Sequence, residues 1–248
     1  MIRLEARNIG LVVGKKKLIS DVNFVIESPK LVGIIGPNGA GKSTFLRIIS
    51  GYIQPNQGSV LWNDEELSKW HVKKRSAICG YCPQNFIPSW DYSVAEIIAL
   101  GMNLYRLKTQ QLEQIINDYG LIGLENRRWS ELSGGERART MFAATLAKQP
   151  SLILADEPGA SLDIKQRLAL MVRLKKYSQH ALIFIVIHDL DLALRFCDQL
   201  ILLDKGKIVA NASSENVFHS SAFKAAFQLN IQTERIKQGF DLVIGFDG

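Results

Sequence analysis

The sequence holds no hydrophobic run long enough to cross a bilayer. Its longest apolar stretch, residues 181–187, is closed by His180 and His188, well short of the roughly 18 apolar residues that a spanning helix needs. Residues 1–10 lack the apolar block of a secretory leader, so export is not expected. Work at a membrane is expected to need another polypeptide. Cysteine is scarce: three in 248 residues form no disulfide framework, and a reducing, cytoplasmic setting fits. Cys79 and Cys82 make a C-x-x-C, but no second pair or nearby histidine cluster completes a four-ligand zinc site. Chance spacing near a strand end is the simpler reading. Internal repeats and low-complexity tracts are also missing, which sets aside solenoids and global disorder.

What is present is an ordinary globular mixture, 47% hydrophobic and 22% charged. The length suits one α/β domain, or a core with an inserted subdomain. A net charge of +6 admits nucleic acid, anionic lipid or polyphosphate as partners and selects none of them. The runs Lys15, Lys16, Lys17 and Lys73, Lys74, Arg75 read as solvated turns.

Apolar periodicity supplies the organisation. Residues 2–9 and 18–27 are expected as strands joined through the lysine turn, and 31–35 as a buried strand. From Lys42 the spacing places Phe45, Ile48 and Ile49 on one helical face, with Gly51 as a stop. Strands are expected at 58–62 and 77–82, and a mainly helical region from about 94 to 149, with Val94, Ile97 and Ile98 in one stripe and Leu112, Ile115, Ile116 and Tyr119 in another. Strands return at 151–155, 181–187 and 200–203, alternating with helices at 164–178 and 190–197. This order implies a mainly parallel α/β sheet that carries an α-helical subdomain. From about residue 211 the pattern is hard to read.

Three segments carry chemistry. Gly36, Pro37, Asn38, Gly39, Ala40, Gly41, Lys42, Ser43 and Thr44 match G-x-x-x-x-G-K-[ST] between a strand and a helix. The glycines let backbone N–H groups converge on a phosphate, and the helix start adds its positive end. Lys42 suits β- and γ-phosphates, and the Ser43 hydroxyl suits Mg²⁺. Residues 151–157, SLILADE, form an apolar strand ending in two carboxylates: Asp156 suits a magnesium shell and Glu157 can polarise an attacking water. Residues 132–136, LSGGE, contain a capping box from Ser133 to Glu136 that opens a helix at 136–148. A cap does not require Gly134 and Gly135. With Ser133 they leave N–H groups bare at a helix start, a second anion site, which makes sense if another copy's phosphate docks there.

Glycine loop, LSGGE and SLILADE in that order resemble the ATP-binding cassette family over nearly all of residues 1–210. The resemblance implies a P-loop NTPase, RecA-like core with a mainly parallel sheet, an antiparallel β part at the N-terminus and an inserted helical subdomain. The corresponding divisions are 1–83 and 150–210 for the nucleotide-binding core, 84–149 for the helical subdomain with the signature, and 211–248 for a tail of unclear role. By position, Gln84 resembles the family's magnesium-linked glutamine, and Ser161, Leu162 and Asp163 the loop that communicates between two ATP sites. His188 resembles the histidine on the γ-phosphate. ATP and Mg²⁺ are the implied cofactors. A homodimer is implied, each ATP lying between one glycine loop and the partner's LSGGE, with catalysis by Glu157, His188, Lys42 and Gln84.

Three departures stand out. Val13 occupies the place of an adenine-stacking aromatic, and stacking contributes ~1–3 kcal/mol per base. Gly159 stands where the family commonly has threonine after Glu157-Pro158, and Ala160 precedes Ser161. Within the family, YCPQ (81–84), SVAEIIALG (93–101), RRWSELSGGERAR (127–139), ADEPGASLD (155–163) and HDLDLALRFCDQLILLDKG (188–206) are most similar to ATPases that power import of iron–siderophore complexes, haem or cobalamin. Zinc and manganese importer ATPases share the 89–94 stretch. The family pattern also admits a split exporter or a nucleic-acid-associated ATPase. The importer reading implies permease subunits in the membrane, a solute-binding protein acting indirectly, no nucleic acid, and a peripheral position on the cytoplasmic face of the inner membrane. Phe86, Ile87, Trp90 and Tyr92 either line the permease contact or form a local core.

Overall fold

Buried and exposed residues alternate along Lys16–Glu27 (β2) and, less regularly, along Arg3–Val13 (β1), as expected for strands with one covered face. The two pair antiparallel, and Gln57–Trp62 (β4) and Glu65–Glu66 (β5) extend them into a four-stranded sheet of order β2-β1-β4-β5 once Lys30–Ile35 (β3) has left for another sheet. The computed structural model describes residues 2–102, 109–228, 230–236 and 239–245. The first lysine run is exposed throughout, but only Lys15 lies in the turn, beside Gly14, whose φ of 60° a side chain would resist; Lys16 and Lys17 belong to β2. Lys73, Lys74 and Arg75 also depart from expectation. They lie in a helix, Val72–Ile78 (α2), because each of two charges finds an acceptor. Lys74 pairs with Glu65 and sits 4.2 Å above the Trp70 ring, and Arg75 donates to Gly51 O at 2.8 Å. The helix also takes residues 77 and 78 from the expected strand, leaving Cys79–Cys82 (β6).

The second sheet combines β3 and β6 with Leu152–Asp156 (β7), Leu182–Val186 (β8), Gln199–Asp204 (β9) and Lys207–Ala212 (β10), in the order β10-β9-β3-β8-β7-β6. All its pairings are parallel except β9 with β10. Every residue of β7 and β8 is buried, which explains their unbroken apolar sequences. Leu152, Leu154, Phe184 and Leu182 face the first sheet and the helix Lys42–Ile49 (α1) in one core. Ile153, Ala155, Ile183 and Ile185 face the other side, against Gly134–Leu146 (α5), Ile164–Tyr177 (α6) and Leu190–Phe196 (α7). The region after residue 211 contributes to that layer. Ser214–Phe218 (α8) and Ser221–Phe227 (α9) deliver Phe218 and Phe223, both fully buried, and Asn230–Ile236 (β11) pairs with Gly239–Gly245 (β12) as a hairpin.

A third apolar cluster joins Val94–Met102 (α3), Thr109–Asp118 (α4), the short turn Trp129–Glu131 and the later part of α5 through Val94, Ile97, Ile98, Ile116, Trp129 and Ala143. The four aromatic and aliphatic residues between Gln84 and α3 divide. Tyr92 packs on this cluster and Phe86 meets Trp129 edge-on at 5.4 Å, whereas Ile87 and Trp90 are 88% and 72% exposed. Among the described residues no helix is long and apolar enough to cross a membrane.

Candidate functional site

Parallel register brings four strand ends level at one edge. β6 meets β7 at Cys82 and Ala155, β7 meets β8 at Asp156 and Val186, and β8 meets β3 at Val186 and Ile34. The segments that leave these ends emerge side by side: the glycine loop after β3, Gln84 after β6, Glu157 after β7 and His188 after β8. Open parallel sheets bind ligands at this carboxyl edge.

The glycine loop is fixed from behind. A Cβ on Gly36 would lie 2.1 Å from Leu203 O, so no other residue fits there. Gly41 caps α1 with φ 100°, a conformation costly for any side chain. Gly206 N donates to Ala40 O at 2.9 Å and Ala40 N to Pro37 O at 3.2 Å, while Asn38 and Gly39 stay exposed at the tip. Ser43 and Thr44 open α1, half-buried. Lys42 is buried, and its Nζ donates to Gly36 O at 2.8 Å and Pro37 O at 3.0 Å. Burial lowers its pKa, and the charges of Glu157 and Asp156 oppose that shift.

Asp156 is fully buried, with Oδ1 accepting from the Ser43 hydroxyl at 3.0 Å and Oδ2 without a partner. Burial raises its pKa, the Ser43 hydrogen bond lowers it, and Glu157 raises it further. An orphaned buried carboxylate oxygen beside a hydroxyl is a hard-oxygen set, and it fits Mg²⁺. Glu157 turns away from Asp156 because its backbone adopts φ 49°, a left-handed conformation that costs a non-glycine residue about 1–2 kcal/mol. Strain of this kind collects at functional sites. Both oxygens of Glu157 are engaged: Gln84 Nε2 donates to Oε2 at 2.8 Å and His188 Nε2 donates to Oε1 at 2.6 Å. Gln84, Asp156, Glu157, His188, Lys42 and Ser43 thus converge, with Gln84 bonded to Glu157. Val13 is 58% exposed near the tip of the β1–β2 hairpin.

LSGGE forms a second group. Ser133 caps α5: its Oγ accepts from Glu136 N at 3.3 Å, and Glu136 Oε2 accepts from Ser133 N at 2.8 Å. The helix begins at Gly134 rather than at 136. Gly134 O accepts from Ser161 Oγ at 3.0 Å, and Cβ atoms on Gly134 and Gly135 would come within 3.1 Å of Ser161 Cβ and Gln166 Oε1. The two glycines therefore also let the 159–163 turn approach. Asp163 Oδ1 accepts from Gln166 N at 2.7 Å and caps α6. Sequence reasoning passed over Arg167, whose Nη2 donates to Leu162 O at 3.3 Å, because a charge on a helix reads as solvent-facing.

Comparison with known proteins agrees with this geometry. The ABC transporter family pattern matches residues 19–160. A hemin import ATP-binding protein (HmuV) of Pseudoalteromonas translucida is 34% identical over 244 residues, covering 92% of this chain and 94% of the relative. Its counterpart in Rhodopseudomonas palustris is 30% identical over 252 residues, covering 97% and 96%. Among solved structures, a metal-chelate type ABC transporter in an inward-facing conformation superposes with a TM-score of 0.80 at 23% identity, covering 99% of this chain and 98% of that chain. A dimeric ATP-binding cassette bound to ADP and Pi, in a post-hydrolysis state, gives 0.76 at 26%, covering 85% and 98%. The chain belongs to the ABC transporter family and carries its ATP-binding and ATP-hydrolysing domain.

Proposed function

We propose that ATP hydrolysis at this edge powers import of haem or an iron chelate through separate membrane subunits, from the cytoplasmic face of the membrane. The observation that carries hydrolysis is the placement of Glu157 between Gln84 and His188, next to Lys42 and Asp156. Likeness to hemin import ATP-binding proteins over more than nine-tenths of the chain supports the cargo class. In this reading Lys42 exchanges the carbonyls of Gly36 and Pro37 for β- and γ-phosphate oxygens, and backbone N–H groups at the tip of the loop and the start of α1 cradle the same phosphates. Ser43, Asp156 and Gln84 would hold Mg²⁺, which supplies charge neutralisation on the phosphates. Glu157 orients the attacking water and accepts its proton, and His188 holds the γ-phosphate.

Each Glu157 oxygen already has one donor, Gln84 or His188, which fixes the carboxylate and leaves its remaining lone pairs to receive the water. The Ser133, Gly134, Gly135 and Glu136 cluster is the anion site for a second copy's nucleotide, and Asp163 lies in the turn between the two sites. A dimer follows, as in the ADP-bound relative. Exposed Ile87 and Trp90 suit contact with the membrane subunits. A solute-binding protein outside the membrane would deliver the cargo.

The reading is tested by co-expression with permease subunits of a haem or iron-chelate importer from the same organism and purification from membranes. A stable complex that takes up haem or an iron chelate into vesicles in an ATP-dependent way is expected. Stable complexes with DNA or ribosomes, or uptake of zinc or manganese alone, would overturn it.

A further inference from the structure

We infer that Arg167 is a positioning residue for hydrolysis, tying the turn that follows Glu157 to the segment that carries His188. The inference rests on the roles proposed above for those two residues. Arg167 projects from α6, where Nη2 donates to Leu162 O at 3.3 Å and Nη1 lies 3.7 Å from Asp189 Oδ2. Asp189 is itself fixed, since its Oδ1 accepts from Leu192 N at 3.1 Å and caps α7. It also follows His188 directly. One guanidinium therefore spans the two loops whose spacing sets the bond from His188 to Glu157.

Apolar packing anchors each loop at one point only: Leu162 and Ile187 are buried in the same cluster. A largely apolar cavity of about 180 Å³ separates Pro158, Gly159 and Ala160 from Met171, Ile185 and Leu192. Around that pocket the turn has few apolar contacts, so the polar ties of Arg167 add to what Leu162 supplies. The sequence is matched to this arrangement: a Cβ on Gly159 would come 3.2 Å from Arg167 Cγ, so the arginine stem lies where a larger residue at 159 would need room. Arg167 Nε is buried without a partner, a cost that a purely stabilising side chain would avoid. The pair with Asp189 is itself about one-third exposed on each side, and such pairs add little to global stability. The effect of Arg167 is therefore expected in turnover rather than in melting.

The experiment measures kcat, KM for ATP, nucleotide affinity and Tm for the full chain with Arg167→Ala, Arg167→Lys and Gly159→Thr, beside Glu157→Gln. Arg167→Ala is expected to lower kcat roughly 3- to 30-fold, as small misplacements near reacting groups do, with KM and nucleotide affinity within about twofold of wild type. Arg167→Lys, which keeps a charge between Leu162 O and Asp189 but lacks the fork that serves both at once, recovers part of kcat. Gly159→Thr displaces the arginine stem and lowers kcat in the same way, and joining it to Arg167→Ala adds no further loss. Wild-type kcat in Arg167→Ala overturns the inference while Glu157→Gln is inactive. So does a kcat loss that tracks lost nucleotide affinity and Tm and is not rescued by lysine. Wild-type turnover in Glu157→Gln instead overturns the underlying reading of the site.

Discussion

Asp156 sits in conflict at the end of β7. A fully buried carboxylate with one orphaned oxygen costs stability in the nucleotide-free chain, and burial raises its pKa. The sign follows from linkage: the folded chain retains a proton there that the unfolded chain has released, so stability falls as pH rises from the ordinary carboxylate range toward the raised value. Asp156→Asn should therefore melt higher than wild type at neutral pH, by about 2–4 °C for each kcal/mol relieved, and the advantage should vanish in acid. The same variant should lose Mg²⁺-dependent hydrolysis. A lower Tm at neutral pH in thermal melts would contradict this account. At this scale the glycine loop and the Asp156–Glu157 pair were legible, because each needs particular atoms at a fixed spacing. The engagement of Glu157 by Gln84 and His188 was not, since it depends on register between strands far apart in sequence. Arg167 was not legible for the same reason: its partners, Leu162 O and Asp189, become neighbours only once α6 and α7 pack.

The helix α5 separates capping from anion binding. Ser133→Ala removes the cap acceptor, which contributes roughly 0.5–2 kcal/mol, and should lower both Tm and ATPase activity. Ser133→Asp keeps a good cap acceptor but sets a negative charge at the helix start, where a partner's γ-phosphate would bind. It should hold Tm within about 2 °C of wild type and still remove most ATP turnover. Full turnover in Ser133→Asp would show that Ser133 serves the fold alone. Elements with strong periodicity, such as β8 and α6, were readable to within a residue or two. The run Lys73, Lys74, Arg75 misled because charge pattern alone does not show whether an acceptor waits nearby, as Glu65 and Gly51 do for α2.

For the whole molecule, the two phosphate-binding surfaces proposed above for one chain imply that each site is half built. Mixing subunits tests this directly. A chain with Lys42→Ala and a chain with Ser133→Asp, each inactive alone, should regain ATPase activity together, because one of the two composite sites then has an intact loop and an intact LSGGE. The alternation of strands and helices gave the parallel sheet, but not the part played by the chain after residue 211. Its short helices bury Phe218 and Phe223 against the sheet, and segments of five and seven residues are too brief for a reliable period. The central claim is that Glu157 activates water at a site completed by a second copy. Its most direct test is Glu157→Gln incubated with MgATP, with turnover and particle mass measured on the same sample. Turnover is expected to fall by about 10²-fold or more with accumulation of an ATP-bound dimer, whereas a monomer turning over ATP at the wild-type rate would rule out this role for Glu157.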